Sequence, residues 1–230
     1  PMVLEMDMDS QLGLVGALAV PGFAVGDDRE VALTESLLTI LYAIAIGLSM
    51  STTAMVARRV GEKDREGAST AAAQSILLGL LLSIGISVIG VALAPDLLRL
   101  MGGEEDVVAT GTAFARTILG GNAVIFLLFL NNAIFRGAGD AAIAMRALWI
   151  ANTINIVLNP CLILGLGPFP QLGLLGSAVA TTIGRGSGVV FQLWVLFGAN
   201  GRLSLKLSQM RPHVEVMTRL ARVSLAGIVA

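Results

Sequence analysis

Three asparagines lie within a stretch of the chain that carries no charge, from residue 147 to residue 184. They are Asn152, Asn155 and Asn159, and on a helix that turns about 100° per residue their side chains fall within roughly 60° of one another. An unpaired amide is costly in hydrocarbon, so this face should point into a bundle, a cavity or a water path. The pattern predicts either a polar transport route or interhelical hydrogen bonding, because asparagines also bond across membrane interfaces.

The composition indicates an integral membrane protein. Of the 230 residues, 55% are hydrophobic and only 13% are charged, against roughly 25% charged in soluble domains. The net charge of −1 gives no indication of a basic surface that would bind nucleic acid. The single cysteine, Cys161, excludes an internal disulfide, and the single histidine, His213, has no second metal ligand beside it. No catalytic triad or pair of intramembrane carboxylates is present, so we expect neither an enzyme nor a bound cofactor.

The distribution of apolar residues predicts an all-α bundle of six membrane-spanning helices. A crossing takes about 20 residues. The first span, 2–25, is irregular because it contains three acidic residues and Pro21. The five other predicted spans are 33–57, 69–94, 111–135, 147–166 and 172–197.

Most of the 15 basic residues fall in segments on one side of this alternating topology. These segments are 58–68, 136–146 and the stretch after residue 197. The positive-inside rule makes that side cytoplasmic, so the N-terminus is predicted to be cytoplasmic in a multi-pass protein of the cell membrane. Trp149 and Trp194 then lie near cytoplasmic helix ends, where interfacial aromatic residues are expected.

The C-terminal part of the chain has a different pattern. In residues 201–222 apolar positions recur every three or four residues among basic ones, which predicts an amphipathic cytoplasmic linker, interrupted at Pro212. Residues 223–230 are apolar and read as the start of a seventh helix. The chain begins with Pro1 and ends within an apolar run, so we expect it to be part of a longer polypeptide, with residues 1–200 as its N-terminal lobe.

Five phrases carry a family resemblance, and they occur in the family's order. They are LTESLL (33–38), GLSMSTTAMVARRVGEKDREGA (47–68), FRGAGD (135–140), NIVLNP (155–160) and GLLGSAVATTIGRG (173–186). With them the sequence resembles the multidrug and toxic compound extrusion (MATE) family of antiporters. The resemblance implies a twelve-helix transporter in the lipid bilayer, of which this chain is the N-terminal lobe and the C-terminal lobe is missing. It also implies export of organic cations in exchange for H⁺ or Na⁺.

The same resemblance assigns a transport cavity to polar residues of three spans. Asn155 and Asn159 match the family's polar pair on helix five, where Na⁺ is a possible ligand. The expected helix-six hydroxyl is Thr181 or Thr182, and the helix-four amide is Asn131 or Asn132.

The first span departs from the family. Gly16 stands where the family carries an aspartate, and residues 11–30 are unlike the family, through a reading-frame error or genuine divergence. Amides can coordinate Na⁺ but cannot carry a proton, so we expect weak coupling to H⁺. Glu35 is the remaining carboxylate of interest, either as a hydrated surface residue or as a cavity group.

Arg185 is embedded in the sixth span, and a structural partner is more plausible for it than contact with a cationic substrate. Gln74 is expected to form interhelical hydrogen bonds, and glycines 120, 121, 184, 186 and 188 should allow helices to approach closely.

Two other functions of the chain stay open. One is a transport-inactive fragment or scaffold that needs a separate partner lobe. The other is a lipid-linked oligosaccharide flippase, against which the shortage of basic cavity residues counts.

Overall fold

The computed structural model describes residues 25–103, 105–198 and 203–229. Gly16 and nearly all of the predicted first span lie outside this part. All regular secondary structure in the described residues is helical, which confirms the all-α prediction. The elements are α1 (Val25–Gly61), α2 (Arg65–Leu100), α3 (Glu105–Gly120), α4 (Asn122–Gly137), α5 (Ala141–Leu164), α6 (Leu174–Phe197), a 3₁₀ turn (Leu207–Met210) and α7 (Val214–Val229).

The described helices have the length and composition of membrane spans. Four segments meet that standard, namely Leu38–Gly61, Arg65–Leu100, Gly111–Gly137 and Ala141–Leu164. The predicted sixth span forms one continuous helix, α6, which packs along α5. Large apolar side chains on the outside of α2, including Leu81, Val88 and Ile89, are exposed in the isolated chain, as lipid-facing residues should be. This is the predicted integral membrane architecture.

The span made of α3 and α4 is the centre of the bundle. In its most apolar part 67% of the residues are buried, compared with 22% in the corresponding parts of α2 and α5. Helix α4 packs against α1, α2, α5 and α6. Polar residues of α4 are therefore enclosed by protein. On α2 and α5, which have a side toward lipid, a polar residue is enclosed only if it lies on the side that faces the other helices.

The predicted fourth span is not one continuous helix. It breaks at Gly121, which separates α3 from α4. A Cβ at this position would lie 3.1 Å from the Thr182 side chain of α6, so the glycine allows α6 to approach the break. The Ser87 hydroxyl of α2 lies within hydrogen-bond distance of the carbonyl oxygens of Leu119 (3.1 Å) and Gly120 (3.3 Å), and it donates its single proton to one of them or shares it between the two. This hydroxyl therefore adds a donor at the break in the helix.

The ends of the helices are set by a few residues. Gly61 is the last residue of α1, and Lys63 takes the left-handed conformation, with φ of 59°. Asp140 occupies the N-cap position of α5, but its side chain makes no capping hydrogen bond. Asp64 caps α2 by accepting from the Gly67 amide at 2.8 Å. Gly165, which has φ of 70°, ends α5.

Helices α5 and α6 pack with their backbones close together. A Cβ on Gly176 would lie 2.5 Å from the Leu162 carbonyl oxygen, and one on Gly184 would lie 2.8 Å from that of Ala151. Gly188 meets α5 in the same way. The predicted close approach is thus confirmed at Gly184 and Gly188. It is wrong at Gly186, where a Cβ would meet nothing within 4 Å.

The same substitution at two positions of α6 tests this packing. We expect Gly184→Ala to destabilise the folded chain by about 1–3 kcal/mol, because the added methyl group overpacks a backbone contact. Gly186→Ala should be neutral or stabilising by up to about 1 kcal/mol, since alanine has the higher helix propensity. Thermal unfolding of the purified chain in detergent measures both. Equal shifts for the two variants would contradict the packing.

Candidate functional site

The asparagine face of α5 points into the protein. Asn155 is buried, Asn152 and Asn159 are half-buried, and Ile156 and Val157 between them are exposed. The apolar side of the helix is thus more exposed than the side that carries the amides, and Asn155 lies against Gly184 of α6. This burial agrees with the predicted inward orientation of the three asparagines.

A hydrogen bond joins Asn155 to α6. Its Nδ2 donates to Thr181 Oγ1 at 3.2 Å. One turn further along α5, the Asn159 Oδ1 is buried and has no hydrogen-bond partner in the part of the chain that the structure describes. We call Asn152, Asn155, Asn159 and Thr181 the amide site. It presents neutral donors and acceptors, and carbonyl oxygens of this kind are ligands for hard cations such as Na⁺.

Thr182 lies beside the break in the central span rather than in the amide site. Its hydroxyl donates to the Ala178 carbonyl of its own helix at 2.9 Å. Its side chain lines a very small cavity, of about 10 Å³, that lies between α6 and the α3–α4 break. The other lining residues are Ile118, Gly121, Val124, Ile125, Thr181 and Arg185. Because Thr181 belongs to both, the pocket adjoins the amide site.

Arg185 has an aromatic partner in the bundle. Its guanidinium carbon lies 5.9 Å from the centroid of the Tyr42 ring on α1, within the range of a cation–π interaction. The side chain is half-buried and also lines the small pocket. This placement agrees with the predicted structural role, and it puts a positive charge next to the amide site.

One of the two predicted helix-four amides pairs with a glutamine of α6. Asn132 Oδ1 accepts from Gln192 Nε2 at 2.6 Å, and both side chains are buried. Gln192 is 11 residues beyond Thr181 on α6, which corresponds to about 16 Å along the helix axis. Asn131 is fully buried, and neither atom of its amide has a hydrogen-bond partner within the described ranges. The role of Asn131 and Asn132 in a cavity stays a prediction.

The remaining predicted acid cannot be placed. Glu35 belongs to helix α1, but its side chain lies outside the described part of the structure, as does the whole of Gly16. In residues 25–103, 105–198 and 203–229 no group of three or more His, Cys, Asp and Glu side chains could hold a metal ion. The possible Na⁺ ligands at Asn155 and Asn159 stay a prediction as well.

The comparison with known proteins identifies the family. Residues 30–161, more than half of the chain, match the family model described as MatE. The chain belongs to the MATE family of transporters.

Individual relatives agree with this assignment and show what share of a MATE transporter the chain represents. The probable multidrug resistance protein YoeA of Bacillus subtilis is 33% identical over 185 residues, which make up 80% of this chain and 40% of YoeA. An inward-facing multidrug resistance MATE transporter superposes with a TM-score of 0.84 at 30% identity, over 94% of this chain and 49% of that one. A transporter of the MOP superfamily from Pyrococcus furiosus, described as having a binding pocket of reverse polarity, superposes with a TM-score of 0.88 at 30% identity, over 100% of this chain and 50% of its own. The chain spans half or less of the length of these three proteins.

Two buried amides of this MATE chain were not found from the sequence. Gln192 pairs with Asn132, and Asn122, the first residue of α4, is fully buried with neither amide atom hydrogen-bonded among the described residues. Gln192 lies on the same face of α6 as Thr181 and Arg185 by helical periodicity, which is a signal that could have revealed it. Asn122 gives no such signal, because its burial follows from the break at Gly121.

A double-mutant cycle tests the buried pair between α4 and α6. We expect Asn132→Leu and Gln192→Leu each to destabilise the chain, because either one removes this buried hydrogen bond and takes one partner from the other amide. The double variant should lose less unfolding free energy than the two single variants lose together, and the difference, the coupling energy, should be about 1 kcal/mol. Thermal unfolding in detergent measures the cycle. The control cycle combines Asn132→Leu with Ile156→Ala, at an exposed position, and the two losses should simply add. If the losses from Asn132→Leu and Gln192→Leu also add, the contact between these residues is contradicted.

Proposed function

We propose that this chain is one lobe of a MATE antiporter that exports organic cations across the cell membrane in exchange for Na⁺ or H⁺. The observation that carries the proposal is the amide site, which holds a hydrogen-bonded Asn155–Thr181 pair and an unpartnered Asn159 oxygen on a protein-facing side of α5. Membership of a transporter family and the lipid-facing exterior support the same conclusion. The substrate would pass along this polar face as the lobe rocks against a second lobe.

Na⁺ is the better candidate for the coupling ion. The described side chains of the amide site are neutral amides and a hydroxyl, whose oxygens can coordinate Na⁺ but cannot take up a proton near neutral pH. In addition, Gly16 stands where the family resemblance leads one to expect an aspartate. Both features favour an exchange that depends on the Na⁺ gradient more than on pH.

A partner lobe and a fixed orientation complete the proposal. The chain covers 49% and 50% of two solved transporters, and a polar face of one lobe needs something to cover it in the bilayer. We assign that cover to a C-terminal lobe joined through a linker at residues 201–222, of which residues 214–222 belong to α7. The distribution of basic residues supports a cytoplasmic location for this linker and for the N-terminus.

Efflux from a drug-sensitive host tests the amide site. The chain would be expressed alone and together with the C-terminal lobe of a MATE relative, and export of a cationic dye would be followed with and without a Na⁺ gradient. We expect Asn155→Ala to reduce Na⁺-dependent export about five- to tenfold, because loss of one buried polar ligand removes a hydrogen bond worth about 1–1.5 kcal/mol in a transport step. Ile156→Ala, on the lipid side of the same turn, is the matched control. Equal export by the two variants would argue against the site, and no export in either expression format would favour an inactive fragment.

The residue at position 16 offers a separate test of coupling. We expect Gly16→Asp to add a dependence on pH that the unchanged chain lacks, because a carboxylate can bind and release a proton where amides cannot. Dye export measured between acidic and alkaline external pH at a constant Na⁺ gradient gives the two profiles. Profiles that coincide would show that position 16 does not couple protons.

Arg185 supports a second candidate substrate class. Its guanidinium lines the pocket beside the amide site, where a positive charge repels a cation and attracts an anionic group. The charge therefore favours the passage of neutral or anionic solutes along the amide site over that of cations. Export of an anionic dye in preference to the cationic one, in the same host, would select this candidate.

A further inference from the structure

The chain segment that follows α6 is docked on the lobe. We call residues 203–213 the strap. Leu203 and Leu205 are only 5% and 4% exposed and belong to a core cluster that includes Ile134, Phe135 and Leu196. The Leu205 amide also donates to the Leu196 carbonyl at 2.8 Å. The start of the strap is thus built into the hydrophobic core rather than lying loosely on the surface.

Gln74 of α2 holds the other end of the strap. Its side chain is fully buried, and its Nε2 donates to the carbonyl oxygens of Gln209 (2.9 Å) and Arg211 (2.7 Å). Its Oε1 accepts from the His213 backbone amide at 2.8 Å. One glutamine therefore makes three hydrogen bonds to the strap backbone, through both ends of its amide. This corrects the expectation that Gln74 joins one membrane helix to another.

Helix α7 starts directly after the strap and is fixed to the same lobe. It begins at Val214 and packs against α1 and α2. Ser224, in its second half, forms a hydrogen bond of 2.8 Å with Ser51 of α1, and both hydroxyl groups are buried. The segment that leads out of this lobe is accordingly held at the strap and again along α7.

We propose that Gln74 latches the strap to this lobe, so that the strap moves as part of the lobe and does not act as a hinge to a second lobe. The inference rests on the proposed function only in assuming that a second lobe exists. A flexible tether would instead have exposed, solvated backbone groups along its length. The strap places Leu203 and Leu205 in the core, and four of its backbone groups are hydrogen-bonded to α2 or α6. Gln74 acts here as a positioning residue, because its hydrogen bonds go to the strap backbone.

Hydrogen exchange read by mass spectrometry tests the latch, with the 230-residue chain in lipid nanodiscs. In the unchanged chain we expect peptides covering residues 205–213 to exchange at least about tenfold more slowly than their intrinsic rates, since docked amides exchange only through local opening. Gln74→Leu has a similar volume but makes none of the three hydrogen bonds. It should speed exchange of these peptides about tenfold or more, because each lost bond changes the opening equilibrium several-fold.

Ser75→Ala is the matched control. Ser75 is the next residue on α2, is buried, and donates only to the Ala71 carbonyl of its own helix at 2.8 Å. This variant should leave strap exchange unchanged. If Gln74→Leu does not fold, Gln74→Glu provides the same comparison, because a carboxylate keeps the size and polarity but cannot donate to the two carbonyls.

Two outcomes would overturn the latch. One is exchange at intrinsic rates over residues 205–213 in the unchanged chain. The other is an equal, small effect of the Gln74 and Ser75 substitutions. Because exchange is read without any transport measurement, a failure of dye export would count against the proposed function and leave the result on the strap unaffected.

Discussion

The cost of burying a polar group in hydrocarbon governs this chain. Lipid offers an amide no hydrogen-bond partner, so each polar side chain at membrane depth must turn toward protein. The pairs Asn155–Thr181 and Asn132–Gln192 satisfy this constraint between helices, and Gln74 satisfies it against a strap backbone. Helix packing, the location of the amide site and the docking of the linker all follow from where these amides find partners.

The break at Gly121 sets the shape of the central span. In a continuous helix the carbonyls accept from the helix's own backbone amides, whereas at the break the Ser87 hydroxyl supplies a donor to the carbonyl of Leu119 or Gly120. In return the break lets α6 come close to α3 and α4, which forms the pocket that Thr181, Thr182 and Arg185 line. Discontinuous helices of this kind are where transporters keep backbone groups and cavities together. The irregularity is therefore part of the site rather than a defect in the span.

The spacing of apolar and polar residues along the chain was sufficient to predict much of the fold and the part of the amide site that α5 supplies. Apolar length located the described spans, and the spacing of Asn152, Asn155 and Asn159 predicted their common inward face, because both depend on the geometry of a single helix. Partners were harder to predict. Asn132 pairs with Gln192 about 16 Å from Thr181 along the helix axis, and Gln74 binds the strap, because such contacts depend on how separate helices align.

From its sequence alone, this protein is a helical membrane chain of the MATE type, with polar residues concentrated on defined faces and an amphipathic segment after its last full span. Local spacing and composition determine these features, since each is set within one helix or one loop. Tertiary structure alone decided that the central span breaks at Gly121, that Arg185 faces Tyr42, and that Gly186 is open while Gly184 is packed. These outcomes depend on distances between residues far apart in the chain, which no single segment encodes.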